Sequence, residues 1–200
     1  MKVILIGANG TVGKNVSKML LETGHEVIAV GRSSGAFQVN IEDEGSIKEL
    51  YRKVGKCDAL VNASGDVAFA PLDKITSEDW TKSFRSKLLG QINLVQQGIP
   101  FISDGGSFSL ISGIIGEEQI FAGTVAATVN YALEGYVRAA ATELPRGIRI
   151  NVVSPTVLED SINTYGSFFP GFKPVGGENV GQAFKKSILG VETGRVFKAR

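Results

Sequence analysis

The chain has 200 residues, of which 43% are hydrophobic and 20% charged, and its formal net charge is +1. This length suits one α/β domain with a sizeable core. The near-neutral charge, without a long basic or acidic run, argues against a nucleic-acid or anionic-membrane partner. One cysteine, Cys57, and one histidine, His25, exclude an intrachain disulfide and leave no ligand set for a thiolate or imidazole metal site.

The first ten residues, MKVILIGANG, contain a short apolar run. This run is too short to span a membrane and lacks a signal-peptide cleavage region, so it is better interpreted as a buried strand. With no targeting segment recognised, we expect a cytoplasmic protein.

Strand-like and helix-like runs alternate along the whole chain. Apolar runs that end in turn residues predict strands at 2–7, 26–31, 37–41, 59–65, 107–113, 148–155 and 194–199. Apolar residues spaced by three and four predict helices at 11–23, 45–54, 77–98 (interrupted only by Gly90), 122–144 and 179–189. This alternation predicts a single α/β domain over residues 1–200. We expect a three-layer αβα Rossmann fold with a doubly wound, mainly parallel sheet of seven strands.

A glycine-rich segment, IGANGTVG, joins the first predicted strand to the first predicted helix. Gly7, Gly10 and Gly13 allow a tight turn, close approach of a pyrophosphate to the backbone, and close packing of helix on strand. The helix N-terminus adds free N–H groups and a positive dipole. The segment therefore predicts a dinucleotide site, and the alternative is a plain turn.

The second predicted strand ends in GRSSG, and no carboxylate lies between Val30 and Val39 to bind the ribose hydroxyls of NAD. Arg32 offers a guanidinium for a 2′-phosphate, and Ser33 offers a hydroxyl. These residues favour NADP(H) over NAD(H), with a solvated loop arginine as the alternative.

Three segments in this order and spacing resemble the short-chain dehydrogenase/reductase family: the glycine loop, LVNASG at 60–65 and INVVSP at 150–155. NIED at 40–43 is similar to the acidic segment that lies beside the adenine in that family. The resemblance covers nearly the whole chain. It implies that the cofactor is bound by Gly7, Asn9, Gly10, Thr11, Val12, Gly13, Arg32, Ser33, Asn40, Ile41, Ala63, Ser64, Gly65, Pro155 and Val157.

The family's chemistry uses a tyrosine that transfers the proton and a lysine that lowers the tyrosine pKa and holds the ribose. It also uses a serine that orients the substrate oxygen and an asparagine that holds a water. The segment YALEG at 131–135 resembles the family's sequence just after the lysine, which places Ala126 at the tyrosine position and Asn130 at the lysine position. No Tyr-x-x-x-Lys occurs in the chain, and Tyr131 and Tyr136 are interpreted as packing residues.

Two residues are left as catalytic candidates. Gly113 stands at the serine position, and Ser112 precedes it, so the alternation of a strand turns Ser112 away unless the strand slips or bulges. Lys87 stands at the asparagine position, where it would transfer protons, hold a carbonyl or phosphate, or be solvated. The resemblance implies an NADP(H)-binding oxidoreductase with atypical or weak catalysis. The alternative is a catalytically silent NADP(H)-binding sensor or regulatory protein.

The segment 161–177 stands where the family has a larger lid. Its Phe168, Phe169 and Phe172 either line an apolar pocket for an unidentified small substrate, with Tyr165 as a polar edge, or close the core. Glu117 and Glu118 are expected near the mouth of that pocket.

The resemblance also implies a homodimer or homotetramer formed through the helices at 77–98 and 122–144. The second helix carries more apolar surface than one sheet face needs, namely Val125, Val129, Leu133, Tyr136, Val137 and Ala140.

Overall fold

The computed structural model describes all 200 residues, and seven strands form one sheet. The strands are β1 (Lys2–Ile6), β2 (Glu26–Gly31), β3 (Phe37–Gln38), β4 (Cys57–Asn62), β5 (Ile102–Ile111), β6 (Arg149–Pro155) and β7 (Val196–Ala199). Every neighbouring pair is parallel, and the strand order is β3-β2-β1-β4-β5-β6-β7. The predicted doubly wound Rossmann fold with seven strands is confirmed.

Six of the seven helices lie in predicted segments, whereas the short helix at Ile162–Tyr165 was not predicted. The helices are α1 (Thr11–Glu22), α2 (Glu44–Val54), α3 (Ser77–Ser83), α4 (Gly90–Gly98), α5 (Thr124–Ala140), α6 (Ile162–Tyr165) and α7 (Gly177–Leu189). The segment predicted as one helix at 77–98 differs in one respect, because a π-helical segment (Phe84–Leu89) joins α3 to α4. Apolar spacing cannot reveal such a segment, since one wider turn leaves the pattern of buried residues almost unchanged.

Alternate residues of β1 enter two separate cores. Ile4 and Ile6 pack in a cluster with residues of α2, α4 and α5, whereas Val3 and Leu5 pack with residues of α1 and α7. All four side chains are at most 2% exposed, as expected for a parallel sheet covered by helices on both faces.

The apolar face of α5 packs on the sheet of its own chain. Four of the residues that we expected to leave surplus apolar surface are fully buried there, namely Val125, Val129, Leu133 and Val137. They therefore offer no apolar surface to a second subunit, contrary to expectation. Tyr136 packs against the same core, as expected. Tyr131, which we expected to pack, is 54% exposed, because it lies on the opposite side of the helix.

The order of the sheet reverses between β1 and β4, where consecutive crossovers run to opposite sides. In open α/β sheets ligands bind at this point, beyond the carboxyl ends of the strands. None of the helices combines the length and the apolar character that crossing a bilayer requires.

Candidate functional site

A cavity of about 300 Å³ lies beyond the carboxyl ends of β1 and β2. Its wall brings together eight of the predicted cofactor-binding residues, which are Gly7, Gly10, Arg32, Asn40, Ile41, Ala63, Ser64 and Gly65. The segments that supply them are separated by tens of residues in the chain and meet because parallel strands end at the same edge of the sheet.

The glycine loop leaves the N-terminus of α1 free to bind an anion. Gly10 is the N-cap residue, no side chain caps the helix, and its first turn holds no acidic residue. Gly7 has a φ of 76°, and a Cβ there would lie 2.9 Å from the carbonyl oxygen of Ala63. The first N–H groups of α1 are thus without a side-chain partner, as phosphate binding requires.

The loop after β4 is held by its own side chains. The Asn62 side chain donates to the Ser64 carbonyl oxygen at 2.9 Å, and the Ser64 hydroxyl donates to Asn62 Oδ1 at 2.7 Å. Asn62 is fully buried, so these two bonds fix the conformation of the loop that separates the two halves of the site.

A carboxylate that was not among the predicted cofactor-binding residues also lines the first cavity. Glu42 lines the wall with Arg32, and Arg32 Nη2 lies 3.8 Å from Glu42 Oε1. Arg85 Nε lies 3.9 Å from the other oxygen of the same carboxylate. This acid belongs to the NIED segment, whereas the turn after β2 contains no carboxylate. Asp66 and Ser86 are further wall residues that the sequence did not indicate.

Four of the predicted cofactor-binding residues do not line either cavity of the site. Asn9 is exposed and donates to the Ser34 hydroxyl at 2.8 Å, while Thr11 and Ser33 are exposed. Gly13 is buried, and a Cβ there would collide with the Gly7 carbonyl oxygen, so its role is to let α1 pack against the loop.

A second cavity of about 270 Å³ continues from the first and shares Gly65 and Asp66 with it. It lies beyond the ends of β4, β5 and β6, and its wall is mainly apolar. Six predicted site residues line it, namely Val12, Gly65, Lys87, Ser112, Pro155 and Val157. The positions that correspond to the family's tyrosine and lysine, Ala126 and Asn130, are also in this wall.

Lys87 enters this wall from the π-helical segment. Its backbone oxygen accepts a bond of 2.7 Å from the Gln91 side chain, which also bonds both the N–H and the carbonyl of Ile111 at 3.0 and 2.9 Å. Gln91 is fully buried and so ties the segment that carries Lys87 to the end of β5. Burial lowers the pKa of Lys87 from its ordinary 10.5 to about 8, and the nearby Asp66 opposes this change only in part.

Ser112 faces α5 and not away from it. Its hydroxyl donates to Glu134 Oε1 at 3.0 Å, and the other Glu134 oxygen lies 3.6 Å from Arg138 Nη2. Burial raises the pKa of Glu134 above its ordinary value, while the Ser112 bond and Arg138 oppose the rise. Ser112 does not turn away from the site, contrary to expectation: it lines the second cavity and lies, by alternation, on the same side as Phe108 and Leu110.

Two polar atoms in the second cavity have no hydrogen-bond partner. They are Asn130 Oδ1 and Thr156 Oγ1, and their residues are 4% and 6% exposed. Buried polar atoms are nearly always satisfied, so these two atoms beside the second cavity lack a partner that a bound water or a polar ligand would supply. Thr156 was not indicated by the sequence.

The lid segment closes the second cavity with some of the expected aromatic residues. Phe169 and Tyr165 line the wall. Phe168 packs on Phe69 with ring centres 5.4 Å apart, and Phe172 packs edge-on against Phe169. The segment thus lines the pocket with Phe169 and Tyr165, and its Phe168 and Phe172 pack against other aromatic residues.

Glu117 and Glu118, which we expected near the mouth of the pocket, are not wall residues of the second cavity. Glu117 is held by Lys198 and Arg200, each at 2.6 Å, and Glu118 pairs with Arg200 at 3.2 Å. They therefore join the loop after β5 to the end of the chain.

The residues of the two cavities fit a dinucleotide. The glycine loop before the uncapped N-terminus of α1 lines the first cavity, and Asn130 and Thr156, each with one unpartnered polar atom, lie in the wall of the second. The first half of the site thus suits a phosphorylated nucleoside and the second a ring with polar substituents.

Known proteins with similar sequences and folds support the family resemblance. The family model described as enoyl-(acyl carrier protein) reductase matches residues 2–183. The chain is 30% identical over 183 residues to the 3-oxoacyl-[acyl-carrier-protein] reductase FabG of Thermotoga maritima, covering 79% of this chain and 74% of that protein. It is 27% identical over 187 residues to an oxidoreductase of Methylorubrum extorquens, covering 82% and 75%.

Two solved structures extend the comparison. The protein lin1944 from Listeria innocua matches all of both chains with 47% identity and a TM-score of 0.97. A small-chain dehydrogenase in complex with NADPH shares the fold, with a TM-score of 0.88, 22% identity and coverage of 99% of this chain and 95% of that one. With its matched sequence model and its seven-stranded parallel sheet, the chain belongs to the short-chain dehydrogenase/reductase family.

Proposed function

We propose that the protein is an NADP(H)-dependent oxidoreductase whose catalysis is atypical for its family. The observation that carries the proposal is the continuous cleft formed by the two cavities, which share Gly65 and Asp66 at the reversal of strand order. One half holds the free helix N-terminus and the other the buried polar atoms without partners.

The choice of NADP(H) rests on Arg32. Its guanidinium borders the first cavity and is 72% exposed, so it is available to a 2′-phosphate at little desolvation cost. Glu42 opposes this choice because its carboxylate repels a phosphate. A small-chain dehydrogenase with the same fold has been solved in complex with NADPH, which supports the proposal.

The proposed contacts follow the two cavities. Gly7 and Gly10 give the pyrophosphate access to the N–H groups of α1, and Asn40 and Ile41 border the adenine end. Pro155 and Val157 border the nicotinamide end, and Asn130 and Thr156 lie in the same wall. When bound, the cofactor supplies or accepts a hydride.

Catalysis is atypical because Ala126 and Asn130 occupy the positions of the tyrosine and lysine. Both line the second cavity, so no phenol is present there at the position that the family uses. Losing a general acid typically costs on the order of a hundred- to ten-thousand-fold in rate.

The same substitution favours a second candidate function. A catalytically silent protein that binds NADP(H) and reports the redox state to a partner needs the cleft but no proton donor. Ala126 is the observation that favours it, since its methyl group cannot exchange a proton.

Calorimetry with NADPH, NADP⁺, NADH and NAD⁺ tests the binding proposal. We expect saturable binding of both NADP forms and weaker binding of both NAD forms. A protein that binds none of the four would contradict both candidate functions. Oxidation of bound NADPH by added carbonyl compounds, followed by absorbance, then separates the oxidoreductase from the sensor.

A further inference from the structure

Lys87 is a buried cation without a counter-ion. Its side chain is 9% exposed, it forms no ion pair, and Asp66 is the one charged group that acts on it. Asp66 itself is exposed. Lys87 Nζ is not among the fully buried polar atoms without a partner, and Lys87 lines the second cavity, so its unpaired ammonium is open to that cavity.

The Lys87 side chain passes over Gly65, and this contact explains how its ammonium reaches the second cavity. The aliphatic part of Lys87 lies across Gly65, where an added Cβ would be 2.8 Å from Lys87 Cδ. Gly65 lies where the two cavities meet, and its φ of 122° is a conformation that residues with a side chain rarely adopt. The glycine and the π-helical segment together place Lys87 at the entrance from the first cavity to the second.

The surroundings of Lys87 favour an uncharged substrate with one polar group. Most of the second cavity is apolar, with Ile111, Ile114 and Phe169 among its wall residues. Asn130 Oδ1 and Thr156 Oγ1 are the unpartnered polar atoms, and Lys87 supplies the cation. A small carbonyl compound matches this wall, since its oxygen accepts from the ammonium while the remainder contacts apolar side chains.

Other proton donors in this wall are less suitable. The Ser112 hydrogen is directed at Glu134, and Tyr165 lies in the lid with 43% exposure. A general acid works best when its pKa lies near the operating pH, and burial lowers the pKa of Lys87 to about 8.

We propose that Lys87 is the catalytic proton donor of this site and that the substrate is a small, largely apolar aldehyde or ketone. This inference rests on the proposed NADP(H) site. A bound NADPH supplies the hydride that forms the new C–H bond at the carbonyl carbon. The π electrons of the C=O bond take the Lys87 proton and form the O–H bond. The products are the alcohol, NADP⁺ and a neutral Lys87 amine, which regains a proton from water at the cavity mouth.

The protonation of Lys87 is measured first, because this needs no substrate. Protein labelled with ¹³Cε-lysine is titrated by NMR, and the Lys87 signal is the one that Lys87→Met removes. We expect a midpoint near pH 8 in the free protein and a lower midpoint with NADP⁺ bound than with NADPH bound, because only the oxidised nicotinamide ring is cationic. NADPH, whose ring is neutral, serves as the control.

The NMR outcome is separable from the binding proposal. If calorimetry shows NADP⁺ binding but the Lys87 midpoint does not respond, Lys87 is remote from the ring and our inference is wrong. If calorimetry shows no binding, the proposed function itself fails. A midpoint of 10 or above in the free protein also overturns the inference.

Kinetics test the role in proton transfer. NADPH oxidation is followed with a panel of aliphatic and aromatic aldehydes and ketones, and we expect Lys87→Met to lower kcat on the order of a hundred- to ten-thousand-fold. The Kd of NADPH should stay within about threefold. The wild-type kcat for reduction should fall above about pH 8, as Lys87 loses its proton, and the residual rate of Lys87→Met should lack this limb.

Two control variants complete the design. Lys53→Met replaces a lysine that is 59% exposed on α2, and its kcat should equal that of the wild type. Lys87→Arg keeps the positive charge but does not release a proton, so it should not restore the rate. A wild-type rate in Lys87→Met, or no carbonyl-dependent NADPH oxidation by the wild type, overturns the proposal.

Discussion

The choice between NADP(H) and NAD(H) depends on Arg32, Glu42 and Arg85, whose charged groups are nearly 4 Å apart. Glu42 lies between Arg32 and Arg85, at 3.8 and 3.9 Å, and both guanidinium groups are well exposed. Exposed ion pairs contribute at most about 1 kcal/mol. A 2′-phosphate would therefore displace Glu42 from Arg32 at little cost, and the balance between the two residues decides the affinity.

Arg32→Ala should remove most of the preference for NADP(H). We expect the wild type to bind NADP(H) at least tenfold more tightly than NAD(H), about 1.4 kcal/mol, because only the former carries the phosphate that Arg32 meets. Calorimetry of both variants with both nucleotides measures the margin. Equal affinity of the wild-type protein for NADP(H) and NAD(H) would refute this prediction.

Glu42→Gln should have the opposite effect. Removing the negative charge frees Arg32 and ends the repulsion of the phosphate, so we expect NADPH to bind about two- to tenfold more tightly. NADH affinity should be unchanged or fall. The matched control is Glu44→Gln on α2, which pairs with Lys48 and lies outside the cavity wall. Weaker NADPH binding by Glu42→Gln would show that Glu42 itself supports the nucleotide.

The lowered pKa of Lys87 predicts that the stability of the protein depends on pH. Its folded pKa of about 8 lies below the ordinary 10.5, so at neutral pH the folded protein bears the cost of a buried charge. Between pH 8 and 10.5 the unfolded chain binds more protons than the folded one, and the free energy of unfolding therefore rises with pH. Lys87→Met, which keeps the apolar contacts, should be more stable than the wild type at pH 7 by at most about 3 kcal/mol.

Urea denaturation at pH 7 and at pH 9.5 measures this difference. The advantage of Lys87→Met should shrink at the higher pH, whereas Lys53→Met should show no such trend. A difference that is the same at both pH values would mean that the Lys87 charge is not the cause.

At the level of elements, the segment from Ser77 to Gly98 contains an irregularity that its regular apolar spacing does not predict. The apolar spacing predicted one helix, and the structure contains α3, a π-helical segment and α4. The wider turn carries Lys87, and Gln91 bonds to Ile111 to hold that turn against β5. A residue of the site is thus positioned by an irregularity that neither propensity nor periodicity predicts.

Gln91→Leu tests this positioning. The substitution keeps the volume but leaves the backbone groups of Ile111 without partners, so the free energy of unfolding should fall by about 1–3 kcal/mol. Because the Lys87 carbonyl also loses a bond, we expect the Lys87 midpoint in the NMR titration to change. Gln96→Leu, an exposed position of α4, is the control. An unaltered Lys87 midpoint would show that the segment holds its shape without Gln91.

At the level of the whole molecule, the exposed side of α5 is the surface that a second copy would cover. Its large apolar sheet-facing residues are buried, and the outer side carries Tyr131 among small residues such as Ala132, Gly135 and Ala139. A Cβ added to Gly135 meets nothing within 4 Å. Small residues on an outer helix face allow two helices to approach closely.

We therefore propose that the protein is a homodimer or homotetramer in which α5 takes part. Tyr131→Asp should lower the mass measured by light scattering at micromolar concentration, because it places a charge in the contact. Leu21→Asp, at a position of α1 that is 58% exposed, should leave the mass unchanged. A wild-type protein of monomer mass would contradict the proposal.

The sequence by itself determined the layout of the fold. The short apolar runs, from Lys2–Ile6 onward, became strands, and the amphipathic runs became helical segments. These features depend on which residues are apolar and at what spacing, and this is local information. The glycine loop was equally readable, because its conformation follows from the missing side chains of Gly7 and Gly10.

Only the tertiary structure decided which side chains meet in the cleft and which atoms lack partners. Glu42 faces Arg32, Ser112 faces Glu134, and Lys87 lies over Gly65, yet the residues of each pair are between 10 and 22 positions apart. The packing of α5 on the sheet brought Glu134 to Ser112 and buried the apolar residues of α5 in the core. Such contacts depend on where strands end and how helices cross them, and the periodicity of a sequence does not record either.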